Sequence, residues 1–365
     1  MIRGHRVRIV TVLSVAAATA AASMAALPDA QAATTPGWRL VSAIHQGPAA
    51  DINGLSSVVA VIRRNAWAFG GTDVALPQGG KPTAEHWNGH WRAAALPAGL
   101  AGPLGAASAP SRNDIWVVSQ LNGYVLHYNG AAWSVAKKLP EPEGSLPKQL
   151  TGVTAFSPTN VWVFGAPGAD PGQGTWHLHG RTWSRVTGVG GGIATASALS
   201  PSNIWAVGAN DVAPQDVVVH YNGSTWKQVR SLTPGSGAFG DVVALSPSSV
   251  WVSGTTFTAS GNVPWMLHYN GKKWTKYKVP FALNLAAIAA DGSGGIWITA
   301  SSTTTGDWYA LHRSSSGAWR RYLITTTGQV SGLGLIPGTT SMWAAGATSG
   351  LTGAKGAVWA YGAVG

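Results

Sequence analysis

Seven tryptophans, Trp67, Trp116, Trp162, Trp205, Trp251, Trp297 and Trp343, follow one another at intervals of 49, 46, 43, 46, 46 and 46 residues. Each stands in a variant of one motif: "SPTNVWVFG" from Ser157, "SPSNIWAVG" from Ser200 and "SPSSVWVSG" from Ser246, with looser copies "RRNAWAFG", "SRNDIWVVS", "GSGGIWITA" and "GTTSMWAAG". A second motif travels with the first, as "LHYNGAAW" from Leu126, "VHYNGSTW" from Val219 and "LHYNGKKW" from Leu267. Self-similarity at a nearly fixed period of this length marks one supersecondary unit stacked on copies of itself.

Within a unit, four short runs read as strands bounded by turn residues. In the fifth unit they are "GDVVALS", "SVWVSGT", "PWMLHYN" and "KWTKYKV", with Ser-Pro-Ser-Ser between the first two and Asn-Gly between the last two. The Asn-Gly pair predicts a two-residue hairpin with positive φ at both central residues. Four antiparallel strands repeated seven times predict an all-β, seven-bladed β-propeller. First strands such as "LGAASAP" and "LNLAAIAA" are small enough to crowd around one axis, and the tryptophans can fill the gaps that open outward between blades.

The ends of the repeat array complement each other. The last unit supplies three strands and stops, while "TTPGWRLVSAI" near the N-terminus has the fourth-strand pattern and carries Trp38. The expected seventh blade is therefore closed by the N-terminal strand, which removes an open seam.

Arg3, Arg6 and Arg8 precede the apolar run "IVTVLSVAAATAAASMAAL", and "AQA" ends at Ala32. This is the pattern of a secretory signal peptide over residues 1–32, leaving a single propeller domain over 33–365 with no later membrane span. With no Cys among 365 residues, the fold has no disulfide framework and rests on its core. Without residues 1–32 the chain has 21 basic and 12 acidic residues, a net charge of +9.

The turn "YNGSTW" resembles a degenerate Asp-box, with Asn222 where that motif has Asp. Together with "SPSNIWAVG" it is similar to the secreted bacterial propeller repeats of the form SPSDVWAVG…HYNGSTW, over essentially residues 36–362. That resemblance implies fold more than activity, because Asp-boxes are structural. A sialidase of the Asp-box type would need three arginines around a substrate carboxylate, a Phe-Arg-Ile-Pro motif and a Tyr/Glu pair; no such motif occurs, and the first strands hold hardly any Arg. The missing Cys excludes a cysteinyl-tyrosine copper site, and D-x-D-x-D-G calcium loops are absent. No cofactor or metal is expected: His86, His127, His177, His220, His268 and His312 occupy equivalent positions on six separate blades and cannot converge on one ion.

The Ser-Pro and Asn-Gly turns are short and uniform, whereas the second-to-third loops and the connections between blades vary, and variation on a rigid frame carries specificity. Nine of the 12 acids outside residues 1–32 are assigned to the variable side, Asp241 among them, and 14 of the 21 basic residues lie on or beside fourth strands. Trp176, Trp265 and Trp308 stand at the starts of third strands beside variable loops, placed for stacking on a sugar ring; Asp170, Asp211, Asp216 and Asp307 are the carboxylates that would accept sugar hydroxyls. The expectation is a secreted, extracellular, non-enzymatic module binding a carbohydrate or cell-envelope polymer. The alternatives are an extracellular protein-interaction scaffold and a glycoside hydrolase or lyase with an unrecognised carboxylate pair. No nucleic-acid recognition motif is present.

Overall fold

A computed structural model describes residues 37–44, 54–72, 80–140, 150–165, 174–189, 191–210, 215–233, 235–349 and 353–365. Its described residues form seven four-stranded antiparallel sheets and no helix, and so none long and apolar enough to cross a membrane. The first strand of the chain is β1 (Arg39–Ile44). Blade one follows as β2 (Gly54–Ile62), β3 (Asn65–Thr72), β4 (Lys81–Trp87) and β5 (Trp91–Ala93). Blade two is β6 (Leu104–Ser111), β7 (Asp114–Ser119), β8 (Tyr124–Tyr128) and β9 (Trp133–Lys138). Blade three is β10 (Leu150–Ser157), β11 (Asn160–Gly165), β12 (Thr175–His179) and β13 (Thr182–Val186). Blade four is β14 (Gly191–Ser200), β15 (Asn203–Asn210), β16 (Asp216–Tyr221) and β17 (Trp226–Ser231). Blade five is β18 (Gly237–Ser246), β19 (Ser249–Thr258), β20 (Gly261–Tyr269) and β21 (Trp274–Lys278). Blade six is β22 (Asn284–Ala290), β23 (Ile296–Ser301), β24 (Trp308–Arg313) and β25 (Trp319–Thr325). Blade seven is β26 (Gln329–Leu335), β27 (Met342–Thr348) and β28 (Lys355–Tyr361), completed on its outer edge by β1.

Every first strand packs against the first strands of both neighbouring blades, so β2, β6, β10, β14, β18, β22 and β26 form a closed inner ring. This is the seven-bladed propeller that the repeat predicts. Side chains on the inner ring reach across blades to satisfy backbone groups: Ser108 Oγ accepts from Ala155 N at 3.0 Å, Ser197 Oγ from Ala244 N at 3.0 Å, and Thr151 Oγ1 donates to Ile193 O at 2.5 Å. Buried backbone groups need such partners, and small Ser and Thr supply them without forcing the strands apart.

Asp241 departs from its expected place. It lies in an irregularity of β18, where the register with β19 shifts between Phe239 and Val242, and not on the variable side. Its carboxylate accepts Val242 N and, from the next blade, Ile288 N, both at 2.8 Å, so it ties blades five and six together. Burial raises its pKa, while hydrogen bonds from Thr195, Ile288 and Val242 oppose that shift.

The octet motif follows from its own turn. Tyr128, Tyr221 and Tyr269 each donate their hydroxyl to the carbonyl of the glycine two residues on, at 2.8–2.9 Å. Asn129, Asn222 and Asn270 each accept two following backbone N–H groups through Oδ1, at 2.9–3.1 Å. The loop between Tyr221 and Trp226 thus holds four residues, not the two expected, because the Asn side chain builds an Asx turn and only Gly223 needs a left-handed backbone, at φ 96°. The glycine of the tryptophan motif has a separate cause: a Cβ on Gly208 would fall on the carbonyl oxygen of Gly192 in the adjacent first strand, and one on Gly70 would fall on that of Gly54.

Candidate functional site

The six repeated histidines form one construction. In blades one to six the imidazole stacks on the motif tryptophan of the neighbouring strand, with ring centroids 4.0–4.5 Å apart and interplanar angles of 17–26°. In five of them Nε2 also meets a polar side chain at the start of the second strand or in the turn before it: Asp114 for His127 and Asp291 for His312 at 2.8 Å, Asn160 for His177 and Asn203 for His220 at 3.0 Å, and Ser249 for His268 at 3.1 Å. In blade one, His86 Nε2 and Asn65 Oδ1 are buried and unpaired. Blade seven has Ala360 opposite Trp343, so the stack is missing there. These histidines are parts of the frame, one to a blade.

Their charge states follow from that packing. Burial pushes His177 down to about 4, helped by the positive charge of His179. Burial also lowers His86 and His220, and lowers His268 together with the nearby Arg313 charge. The opposite balance holds at Asp291: burial would raise it, but hydrogen bonds from His312, Ser293 and Gly295 outweigh that and hold the carboxyl below its usual value. A histidine with a lowered folded pKa binds fewer protons in the folded chain than in the unfolded one, whose value is about 6.5. Its stabilisation is therefore complete above that value and is lost as the pH falls towards 4. The melting temperature should drop between pH 7.5 and pH 4.5, and by less in His177→Gln; an equal melting temperature at both pH values would contradict this.

Of the residues assigned to sugar recognition, Asp170 and Asp211 lie outside the described residues. Trp265 is placed differently from expectation. Strand β20 begins at Gly261, four residues before it, so Trp265 sits in mid-strand opposite Gly254 and Lys278. It is only 3% exposed. Its ring packs on bare Gly254, where any Cβ would collide with it. Lys276 Nζ stands 4.6 Å from the ring centroid, Phe239 meets it edge to face at 5.7 Å, and its indole N–H donates to Thr256 Oγ1 at 2.9 Å. A ring enclosed in this way has no face left for a sugar and serves as packing.

Asp216 joins the same neighbourhood. It begins β16 and accepts Phe239 N at 2.7 Å, which links blade four to blade five. Burial raises its pKa, and the Phe239 hydrogen bond opposes the rise. Trp176 is half-buried in β12, opposite Val163 and Arg185, and packs into the core shared by blades two and three.

Asp307 and Trp308 are neighbours at the start of β24, both half-buried, but on opposite faces: Trp308 packs into the core between blades six and seven, and Tyr309, which bonds Asp307, into that between blades five and six. The Tyr309 hydroxyl donates to Asp307 Oδ2 at 3.0 Å, and the Arg321 guanidinium lies 4.8 Å from the Tyr309 ring centroid and 5.6 Å from that of Phe281. Burial raises the Tyr309 phenol, and so do the hydrogen bond and charge of Asp307, against the opposing Arg321 charge. The Tyr309 hydroxyl therefore keeps its proton to a higher pH than an ordinary phenol. Sequence reasoning missed Tyr309, Arg321 and Phe281, since none belongs to a repeated position and only the sheet register brings them together. It also missed the long ribbon formed by the ends of β19 and β20, on which Phe257 and Val263 are 50% and 45% exposed.

No protein-family model matches the chain, and no curated protein sequence does. Solved structures do. The chain is similar to YCF48 bound to a D1 peptide, at 13% identity and a TM-score of 0.59, over 90% of this chain and 98% of that one. It is also similar to a chain of Kuenenia stuttgartiensis hydrazine synthase, at 11% identity and a TM-score of 0.55, over 80% and 92%. A third similarity is to an extracellular domain assigned to a one-component system of B. thetaiotaomicron, at 11% identity and a TM-score of 0.56, over 88% and 42%. The shared property is the fold. At such identities, function has to be argued from the residues of this chain.

Proposed function

We propose that this protein is an exported, non-enzymatic binding module that recognises a carbohydrate or cell-envelope polymer through the loop-bearing end of the propeller. Export rests on the signal-peptide pattern of residues 1–32. The observation that carries the ligand class is the group at the start of β24. There Asp307 and the Tyr309 hydroxyl bonded to it stand on one face of the strand and a half-buried Trp308 on the other, beside the "SSTTTG" loop. A rigid strand end that offers an aromatic ring on one face and fixed hydrogen-bonding groups on the other can meet the apolar face of one sugar and the hydroxyls of the next along a polymer. Trp176, half-buried in blade three, is the second candidate platform.

The test is an array of glycans and envelope polymers probed with the chain from Ala33 onward. Saturable binding to a related set is expected, reduced about 10-fold or more in Trp308→Ala, a change of about 1.4 kcal/mol, with the melting temperature of Trp308→Ala nearly kept. Wild-type affinity in both Trp308→Ala and Trp176→Ala would sink this placement. Release of reducing ends from a bound polymer would replace it with the hydrolase reading.

A protein-interaction scaffold is the second reading, supported by two observations. The β19–β20 ribbon carries exposed apolar side chains, Phe257 on one face and Val263 on the other, that a partner chain could cover. The similar YCF48 structure holds a peptide. A blank glycan array with folded protein would favour this reading.

A further inference from the structure

The exposed charged side chains among the described residues are all cationic. Of the 20 described Lys and Arg residues, 18 are exposed; of the six described carboxylates, Glu85, Asp114, Asp216, Asp241, Asp291 and Asp307, none is. The basic residues concentrate on the outermost strand of every blade. Strands β1, β5, β9, β13, β17, β21 and β25 together hold 11 Lys and Arg and no Asp or Glu. Because every blade has one such strand, the cations recur blade by blade around the perimeter, away from the inner strands.

Protection of the outer edges against strand pairing explains charge there, and Lys above all, but not why none of the described carboxylates is exposed beside it. A belt of like charges also repels itself, a cost that an anionic partner would relieve. We infer that the outer rim is a docking surface for a linear polyanion, and specifically for a polyol-phosphodiester of the cell envelope. The fixed spacing of one to two cations per strand suits a polymer with a charge in every backbone unit, contacted through Lys and Arg side chains at its phosphates. Nucleic acid has the same backbone chemistry, but single strands are held by stacking platforms. The rim offers none: the aromatic residues of the outer strands, from Trp91 to Trp319, are buried or half-buried. The rim shares Arg321 with the β24 group, where it packs on Tyr309, but does not depend on sugar recognition there.

The full chain is titrated with soluble poly(glycerol phosphate) at 50 and 200 mM salt. A polymer making about five phosphate contacts loses about 100-fold in affinity over that range. A variant carrying Lys227→Glu, Arg230→Glu, Lys278→Glu and Arg320→Glu keeps a charge at each exposed edge position and should melt as the wild type does, as a monomer. It should bind the polymer at least 30-fold more weakly, and the matching four-Gln variant should shift in the same direction. Neutral glycans held at the loop end should bind the four-Glu variant as they bind the wild type, which separates failure of the rim from failure of the loop-face reading. A flat salt response, wild-type affinity in the four-Glu variant, or equal binding of polygalacturonate would overturn the assignment. Tighter binding of single-stranded DNA of equal charge would transfer it to nucleic acid and equally overturn it.

Discussion

A chain that begins at His45, without β1, will lose its single cooperative melting transition and elute as dimers and larger species in size-exclusion chromatography. Strand β1 is paired along its length with β28, from Arg39 opposite Ala360 to Ile44 opposite Gly356. Just before it, Trp38 meets Trp297 of blade six edge to face at 5.7 Å and lies 5.9 Å from Tyr361. Arg39 donates to Gly362 O at 2.7 Å. Removing the strand uncovers the edge of β28, whose "GAVWA" segment is apolar and buried at every position in the closed ring. A flat, apolar strand edge templates pairing with another chain. Every other blade closes with its own fourth strand, so this is the one place where the two ends of the repeat array hold the ring shut. A synthetic peptide spanning Gly37–Ile44 should restore the monomer and its transition when added in trans. An unchanged melt and a monomeric truncated chain would show that the seam is closed by packing alone.

The second large effect is expected at Trp343→Ala, at about 3–5 kcal/mol of unfolding free energy. Trp343 is fully buried in β27 and faces two tryptophans of blade one, Trp87 at 5.1 Å and Trp91 at 5.2 Å. It therefore spans the junction between the last blade and the first, and its loss leaves a cavity that rigid sheets on both sides cannot close. Trp308→Ala should cost less, because its ring is already partly in water and removing it opens less of the core. Urea titration of both variants decides the matter. A cost below about 1 kcal/mol at Trp343, where whole aromatic deletions in cores run several times higher, would mean that the two blades re-pack around the gap.

The architecture was legible because a repeat states the same local instruction seven times. The spacing of the motif tryptophans located the second strand of each blade, and Trp38 identified the missing strand of the seventh. The histidines were recognisable as frame from their equivalent places, although their stacking on Trp and their pairing with Asn, Asp or Ser required the sheet register. The turn geometry was read less well: Asn-Gly reports a tight hairpin, but the Asn carboxamide bonding ahead of itself sets a four-residue loop.

The candidate site divides in the same way. Composition and strand order located the basic residues on outer strands and Asp307 beside Trp308. They misplaced Trp265 and Asp241, and for one physical reason: a strand extends as far as its partner allows. β19 and β20 pair three residues further than their hydrophobic pattern shows, which moves Trp265 from a loop margin to mid-strand. β18 likewise extends back to Gly237, and the register shift this brings between Phe239 and Val242 makes Asp241 a tie between blades. The sequence by itself determined the number of blades, their order and the strand that closes them, because those depend on neighbours along the chain. Only the tertiary structure decided which aromatic rings are sealed, which carboxylates are spent on backbone N–H groups and that the described exposed charge is all positive. These depend on contacts between blades whose residues stand more than 40 positions apart, where no local pattern reaches.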